Sequence, residues 1–443
     1  MSAQMSSKQA KYAPGTAKAR RNAAIERKFA GFSRSVDEWA AILKPQIERI
    51  RRTTDPMPAT AISYLWRDPR VTQGHATGVS LHSHTNQSQE TLSFVADWTA
   101  QYGFVRPLMQ HLDRRSWDRH RIRIDWARSY WTPPLTPKQA WDLESGQIEK
   151  LGLRPMVSIT DHDNIHAPLL LRTMDASRHA PISVEWSAPY SEVQSFHIGV
   201  HNLPSARAAQ WIDRLNAFTA SPADDQIGEI LADLNQERDV LLVLNHPMWD
   251  LYLIGRDRHE FLVNEFLLKF GNHFHALELN GLRNWNENRA TRRLAEQWNM
   301  LLVAGGDRHG VEPNANINLT SATSFTEFVH EVRYQRRSEV LFMPQYAEPW
   351  KMRILQSTID AIRDFPEFPV GSRNWDDRVF HPDRNGEIQP LSAIWPRGHA
   401  PRSMQFILMM ARSLGRRPLS SSLRYAWSDA SELRFVLGEQ ETA

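Results

Sequence analysis

Short apolar runs that each end in a histidine or carboxylate, with helix-like stretches between them, constrain this chain more than any other feature. The run 77–81 leads into His82 and His84, 156–159 into Asp161 and His162, and 182–184 into Glu185. Further on, 240–244 leads into His246, 276–277 into Glu278 and Asn280, and 301–304 into Asp307 and His309. The stretches 137–151, 206–218, 225–238, 258–270 and 286–299 carry helical spacing. Strands alternating with helices of this length predict an α/β fold with parallel strands. Polar side chains just past strand C-termini suit the functional face of a closed barrel and of an open parallel sheet alike, so the rhythm alone leaves closure undecided.

The chain has 443 residues, 18 histidines and no cysteine. Without thiols there are no disulfides, thiolate zinc sites, iron–sulfur clusters or cysteine nucleophiles. Any metal must therefore sit on imidazole, carboxylate, carbonyl or water. Hydrophobic residues at 41% and charged residues at 23% fit a globular chain. The most lipid-like run, 406–411, is far too short to cross a bilayer. The first thirty residues lack the apolar core of a secretory signal, so a cytoplasmic protein is expected. That opening is basic and acid-poor and reads as an arm, with an organelle transit peptide the lesser reading. A pI near 9.1 rests on a net charge of only +3, too small to imply nucleic acid by itself. Arginine clusters at 49–52, 119–123, 333–337 and 412–417 read as solvated helix faces and keep nucleic acid open as a partner.

His82 and His84, two apart on an extended chain, point to one face and can address one metal. Glu90 either returns a carboxylate to them or opens a helix. Of Asp161 and His162, one ligates while the other orients or bridges; Asp163 and Asn164 cap the next turn. Glu185 follows a β-branched run, where its charge needs a metal or an arginine as partner. His197 and His201 flank Gly199; His197 is favoured, with a bulge at Gly199 turning the other away. His246 precedes Pro247, which ends its strand. Asp307 and His309 repeat the two-apart logic after Gly305 and Gly306, read as a permissive pair. Arg283 and Arg308 either hold a phosphate oxygen or form ion pairs, and Asn280 orients substrate or satisfies a turn. Eight or nine nitrogen and oxygen ligands exceed one tetrahedral site, which points to two or three ions of Zn, Mn or Fe.

In order, Leu81-His82-Ser83-His84-Thr85, Ile159-Thr160-Asp161-His162-Asp163, Val184-Glu185, Phe196-His197-Ile198-Gly199, Asn245-His246-Pro247 and Gly305-Gly306-Asp307-Arg308-His309 resemble the polymerase and histidinol phosphatase (PHP) superfamily. The resemblance spans about 78–310, with the fold completed near 344. It implies a distorted seven-stranded (β/α) PHP barrel, a two- or three-metal site at the strand C-termini, and hydrolysis of phosphoesters by a metal-activated water. The matching positions are His82, His84, His162, Glu185, His197, His246, Asp307 and His309, with Glu90 where many members carry Asp or His. Asp161, Arg308 and Arg283 are the candidate catalytic groups.

The expected organisation is a basic arm and helix over 1–75, with helical spacing at 36–52, then the barrel over 76–345. An Arg- and Trp-rich insertion occupies about 96–131, and 346–443 is a mostly helical extension that includes an apolar helix at 403–414. The leading substrate is a phosphorylated small molecule or nucleotide. The second reading is a nuclease acting on DNA or RNA ends, using Arg119, Arg121 and Arg123 among tryptophans. The third is a metal-bound accessory module in a multiprotein complex.

Overall fold

The structure, a computed structural model, describes residues 59–93, 105–191, 194–223, 226–395, 400–414 and 430–437, with Pro45, Arg424, Ala426 and Trp427. The expected arm, nearly all of the stretch 36–52, the arginine cluster 49–52 and part of the insertion lie outside the described residues. The strands in chain order are β1 (Ala59–Tyr64), β2 (Thr77–Ser80), β3 (Glu90–Thr91), β4 (Tyr130–Trp131), β5 (Arg154–Val157), β6 (Val184–Tyr190) and β7 (Gln194–His201). They continue with β8 (Leu241–Leu244), β9 (Ala276–Asn280), β10 (Leu301–Gly305), β11 (Asn316–Thr320), β12 (Arg337–Phe342), β13 (Val379–Pro382) and β14 (Ile388–Pro390).

Five strands in the order β1-β12-β11-β2-β5 form one sheet, and five in the order β10-β9-β8-β7-β6 form another. Strands β8, β9 and β10 run parallel, as do β2 and β5. Every residue of β2, β8, β9, β10 and β11 is buried, which explains the apolar or small-residue runs of β2, β8 and β10, while Glu278, Asn280, Asn316 and Asn318 are buried polar groups of β9 and β11. The helices fall close to the expected stretches, at Pro137–Glu149, Ala208–Ala220, Gln226–Gln236, Arg256–Phe270 and Trp285–Trp298. Their ends follow local chemistry. Thr136 opens the first with a capping box to Gln139, and Asn299 closes the last in the left-handed conformation. Helix Gln226–Gln236 buries Ile227, Ile230, Leu231 and Leu234 on one face, each worth about 1.5–3 kcal/mol of apolar burial.

The ladders do not close into seven strands. The two sheets are instead bridged by isolated parallel pairs, Ser83–Arg308 past the ends of β2 and β10 and His162–Glu185 between the end of β5 and the start of β6. Backbone bonds Asp307 N to His82 O (2.7 Å), His84 N to Arg308 O (3.0 Å) and Asp163 N to Glu185 O (3.0 Å) tighten these seams. Both seams are made by the ligand-bearing segments, and Thr60, Asn318 and Ser338 of the first sheet also bond the backbone of β10 along its length.

The accessory regions are less helical than expected. β1 pairs in parallel with β12, inside the first sheet. A third sheet, β14-β13-β4-β3, joins the residues around Glu90, the end of the insertion and the C-terminal extension. The extension also supplies helices Trp350–Ile362, Arg402–Leu414 and Ala430–Leu437. Among the described residues no helix is long and apolar enough to cross a membrane.

His275, just before β9, gives a pH test of this packing. Its Nδ1 accepts from Leu242 N (2.9 Å) and its Nε2 faces Asn235 Oδ1 (2.9 Å), so the fold holds the neutral ring. Burial, then the charges of Arg333 and His273, push the imidazole down to about 3. Its contribution is complete above the unfolded value near 6.5 and is lost as pH falls from there toward 3. At pH 4.5 the wild type should have lost about 2–3 kcal/mol through this group. Urea unfolding at pH 7 and 4.5 checks this: His275→Gln should show the smaller pH-dependent loss, and equal losses would remove the assignment.

Candidate metal centre

The two seams bring the strand ends face to face. His82 and His84 leave β2 on one face, with Nε2 atoms 3.1 Å apart. Asp307 and His309 leave β10, His162 follows β5, Glu185 lies in β6, His197 in β7, and His246 follows β8. His82 (φ 63°), His246 (φ 28°) and Asp307 (φ 56°) adopt positive φ without being glycine. Such backbone is uncommon outside glycine, although His and Asp adopt it more readily than most residues.

Glu185 lies at the centre and is fully buried. Its Oε2 is 3.0 Å from His82 Nε2, 3.2 Å from His84 Nε2 and 3.4 Å from His162 Nε2. Its Oε1 is 3.2 Å from His246 Nε2 and 3.3 Å from His197 Nδ1. Glu90 Oε2 stands 3.4 Å from His162 Nε2 and 3.2 Å from His309 Nε2. Four overlapping groups have ligand atoms within 4.8 Å of one another: His84, Glu90, His162 and His309; His82, Glu185 and His246; His82, His84 and Asp307; and His162, Glu185 and His197. All nine expected ligands are in these groups.

The electrostatics show groups that need one another. Burial pushes His82 and His162 down, but carboxylates outweigh it: Glu185, Glu278 and Asp307 hold His82 well above its ordinary value, and Glu90 with Glu185 raises His162 to about 10. Burial pushes Glu185 up, yet His82, His162 and His197 hold it well below the usual carboxylate range. Burial likewise raises Asp307, and His82, His84 and His309 bring it far down.

The residues fit divalent metal. Glu185 Oε2 and His197 Nδ1 are buried without a hydrogen-bond partner, and two imidazole Nε2 atoms point at each other across 3.1 Å. Buried polar atoms of this kind need a partner. A divalent cation is the partner that imidazole and carboxylate share.

Neighbouring residues hold the ligands. Glu278 Oε1 lies 2.5 Å from His82 Nδ1, which aims Nε2 into the cluster. Its Oε2 accepts from His246 N (2.8 Å) and Asn280 Nδ2 (2.9 Å). Asn245 Nδ2 donates to Glu185 Oε1 (2.9 Å), and Ser88 Oγ to Glu90 Oε1 (2.6 Å). The sequence signal for Glu278 is a carboxylate directly after the apolar pair Ala276 and Leu277, a station to which the sequence assigns no role. Asn245 and Ser88 gave no such signal.

Two of the candidate catalytic residues, Asp161 and Arg308, stand apart from the cluster. Asp161 is not brought into the cluster: Thr85 N and Oγ1 donate to its two oxygens at 2.6 and 2.7 Å, so it ties the loop after His84. Arg308 also faces away, with Nε on Glu144 Oε1 (3.0 Å) and Nη1 on Gly310 O (2.9 Å). Strand β7 runs unbroken past Gly199, so no bulge separates its histidines. His201 is instead taken up by Ser158 Oγ (2.9 Å), and burial pushes it down to about 3. Asn280 satisfies a turn, accepting from Leu282 N and Arg283 N.

Arg283 does reach the site. Its guanidinium lies 3.7 Å from the Trp249 ring centroid, Nη2 is 3.5 Å from Asp307 Oδ2, and its buried Nε has no hydrogen-bond partner. Tyr346, Trp350 and Arg353 from the C-terminal side bond the carbonyls of Gly281, Leu282 and Arg283, fixing this loop. Trp249, which also stands edge-on to His246, was not legible in the sequence.

No family model matches the sequence, and no curated protein matches it. Solved structures give three partial likenesses, each at 15% identity. An amidohydrolase from Chromobacterium violaceum, solved with bound sulfate, aligns over 40% of this chain and 83% of its own at a TM-score of 0.28. A protein from Bifidobacterium adolescentis designated a metal-dependent phosphoesterase aligns over 46% and 92% at 0.30. PsfC from Pseudomonas syringae aligns over 50% and 87% at 0.31. Likenesses of this size leave the functional reading to the geometry of the site.

Proposed function

We propose that this centre holds two or three divalent ions, of Zn, Mn or Fe, and hydrolyses a phosphate ester, in the manner of a PHP-type phosphoesterase. The observation that carries the reading is Glu185, one buried carboxylate within 3.4 Å of five imidazoles and with an unpartnered oxygen. A sevenfold ring, β2-β5-β6-β7-β8-β9-β10, is the distorted barrel proposed here, with the two bridged seams standing for ladders. Residues 76–345 are then the catalytic unit, and the later strands support the Glu90 side.

Bound ions would supply Lewis acidity and a lowered pKa for water. The remaining work belongs to the chain. Arg283, backed by Trp249, presents a guanidinium edge to phosphate oxygens, where a planar fork binds best. Glu278 and Asn245 keep His82 and Glu185 in fixed orientation, as outer partners of ligands do. Asp161 holds the 84–88 loop and carries no proton-transfer role.

A second reading, action on nucleic-acid ends, draws on Trp117, 37% exposed, with Arg123 and Arg121 guanidiniums 4.8 and 5.5 Å from its ring. Elemental analysis together with hydrolysis of a phosphomonoester, a phosphodiester and end-labelled oligonucleotides tests both. We expect at least two ions per chain and turnover of the monoester. Fewer than one ion per chain would remove the metal centre. Cleavage confined to oligonucleotides would replace the leading reading by the second.

A further inference from the structure

The residues that stand between the ligands belong to a buried network of their own. His82 and His84 Nε2 meet Asp307 Oδ1 at 3.6 and 3.5 Å, and the His84 and His309 rings stack with centroids 4.2 Å apart. The intervening residues, Ser83 and Arg308, pair through an isolated bridge and send their side chains to Asn314 and Glu144 instead.

Glu144 comes from the helix Pro137–Glu149 and is fully buried, a place where a carboxylate needs a partner. Its Oε1 accepts from Arg308 Nε at 3.0 Å and from Asn314 N at 3.1 Å, and its Oε2 from Ser80 Oγ at 2.9 Å. Asn314 is also buried, and its Nδ2 donates to Ser80 Oγ, Leu81 O and Ser83 Oγ at 2.8, 3.2 and 3.0 Å. A Cβ on Gly306 would lie 1.7 Å from Asn314 Cγ, so the chain just before Asp307 leaves room for that side chain. Arg308 Nη1 donates to Gly310 O at 2.9 Å, just past His309.

We propose that Glu144 is a positioning residue for the metal centre: through Arg308 and Asn314 it sets the placement of the His82–His84 segment against the Asp307–His309 segment. Ligand-to-metal distances hold to within about 0.2 Å, and these two ligand pairs leave strands of different sheets. Stability alone does not call for a charged pair here, since apolar residues of similar volume often replace a buried ion pair at no loss. What the pair adds is direction. The planar guanidinium bonds Glu144 and Gly310 at fixed angles, so the residue between Asp307 and His309 is held against rotation. An apolar side chain fills the same space without fixing that angle. The inference rests on the reading of the cluster as a metal centre and is independent of the ester hydrolysed.

The test measures Mn(II) binding to metal-stripped protein, by electron paramagnetic resonance of the free ion, beside urea unfolding without metal. It compares wild type, Glu144→Gln, and Glu144→Gln combined with Arg308→Met. Glu144→Gln keeps the shape of the side chain but leaves the Arg308 charge buried and unpaired. It should unfold at lower urea and bind Mn(II) about tenfold or more weakly, the scale for outer partners of ligands. The double variant carries no unpaired charge, so its urea midpoint should return toward wild type while its Mn(II) affinity stays about tenfold or more below. Weak binding by the folded double variant supports the proposal, and that variant alone decides if Glu144→Gln does not fold. Affinity restored together with stability makes the network mere packing and overturns the proposal, as does wild-type affinity in Glu144→Gln. A wild type that binds no Mn(II) removes the metal-centre reading and this proposal with it, whereas tight binding unchanged by the variants removes the proposal alone.

Discussion

Glu185→Gln is expected to lower hydrolysis by about 10³-fold or more, a barrier increase of roughly 4 kcal/mol, and to leave the protein short of metal. The substitution keeps the shape of the side chain and its Asn245 contact but removes the charge. Five imidazoles, those of His82, His84, His162, His197 and His246, now face this carboxylate at 3.0 to 3.4 Å. A neutral amide cannot offset cations gathered at that distance, and its NH2 would point a donor toward nitrogens that must themselves act as donors or ligands. Two of the four candidate groups contain Glu185 and the other two each share a histidine with one of those, so the loss spreads beyond one ion. Elemental analysis of the variant, beside kcat/KM at saturating Mn or Zn, is the measurement. A full metal complement with activity within about tenfold of wild type would mean that Glu185 is a structural carboxylate among histidines.

The ligand stations were legible because strands report orientation. His82 and His84, or Asp307 and His309, share a face at a spacing of two, and short apolar runs locate the strand that ends there. The same alternation explains where two of the candidate catalytic residues go. Arg308 sits between two ligands and must point the other way, toward Glu144, and Asp161 alternates with His162 and meets Thr85. Adjacency in sequence was read as adjacency in space, where the strand period says the reverse. The third sheet was illegible for a different reason. β3 and β4 are two residues long, too short to show any period, and their pairing depends on β13, some 250 residues away in the chain. Trp249 and Asn245 lie in or beside loops, where tertiary contact decides the role and no local pattern announces it.

The sequence presents Gly305 and Gly306 as a conformationally permissive pair, and the structure shows close approach instead. Neither has positive φ. A Cβ on Gly305 would lie 1.6 Å from Glu278 Oε1 and 2.4 Å from its Cδ, so the glycine exists to let that side chain cross the strand. Gly305→Ala must therefore expel Glu278 from contacts with His82 Nδ1, His246 N and Asn280 Nδ2, leaving a buried carboxylate badly paired. The expected cost is about 3–5 kcal/mol, the scale for breaking a buried charged contact, and metal content should fall because His82 loses its orienting partner. Glu278→Gln separates the two effects: shape is kept, so the fold should survive, while metal affinity drops about 10- to 100-fold. The double variant Gly305→Ala with Glu278→Ala removes the clash and should unfold at higher urea than Gly305→Ala alone, since the two sites touch and their costs are not additive. If the double variant is less stable by the plain sum of the single losses, close approach is not what requires glycine at this position.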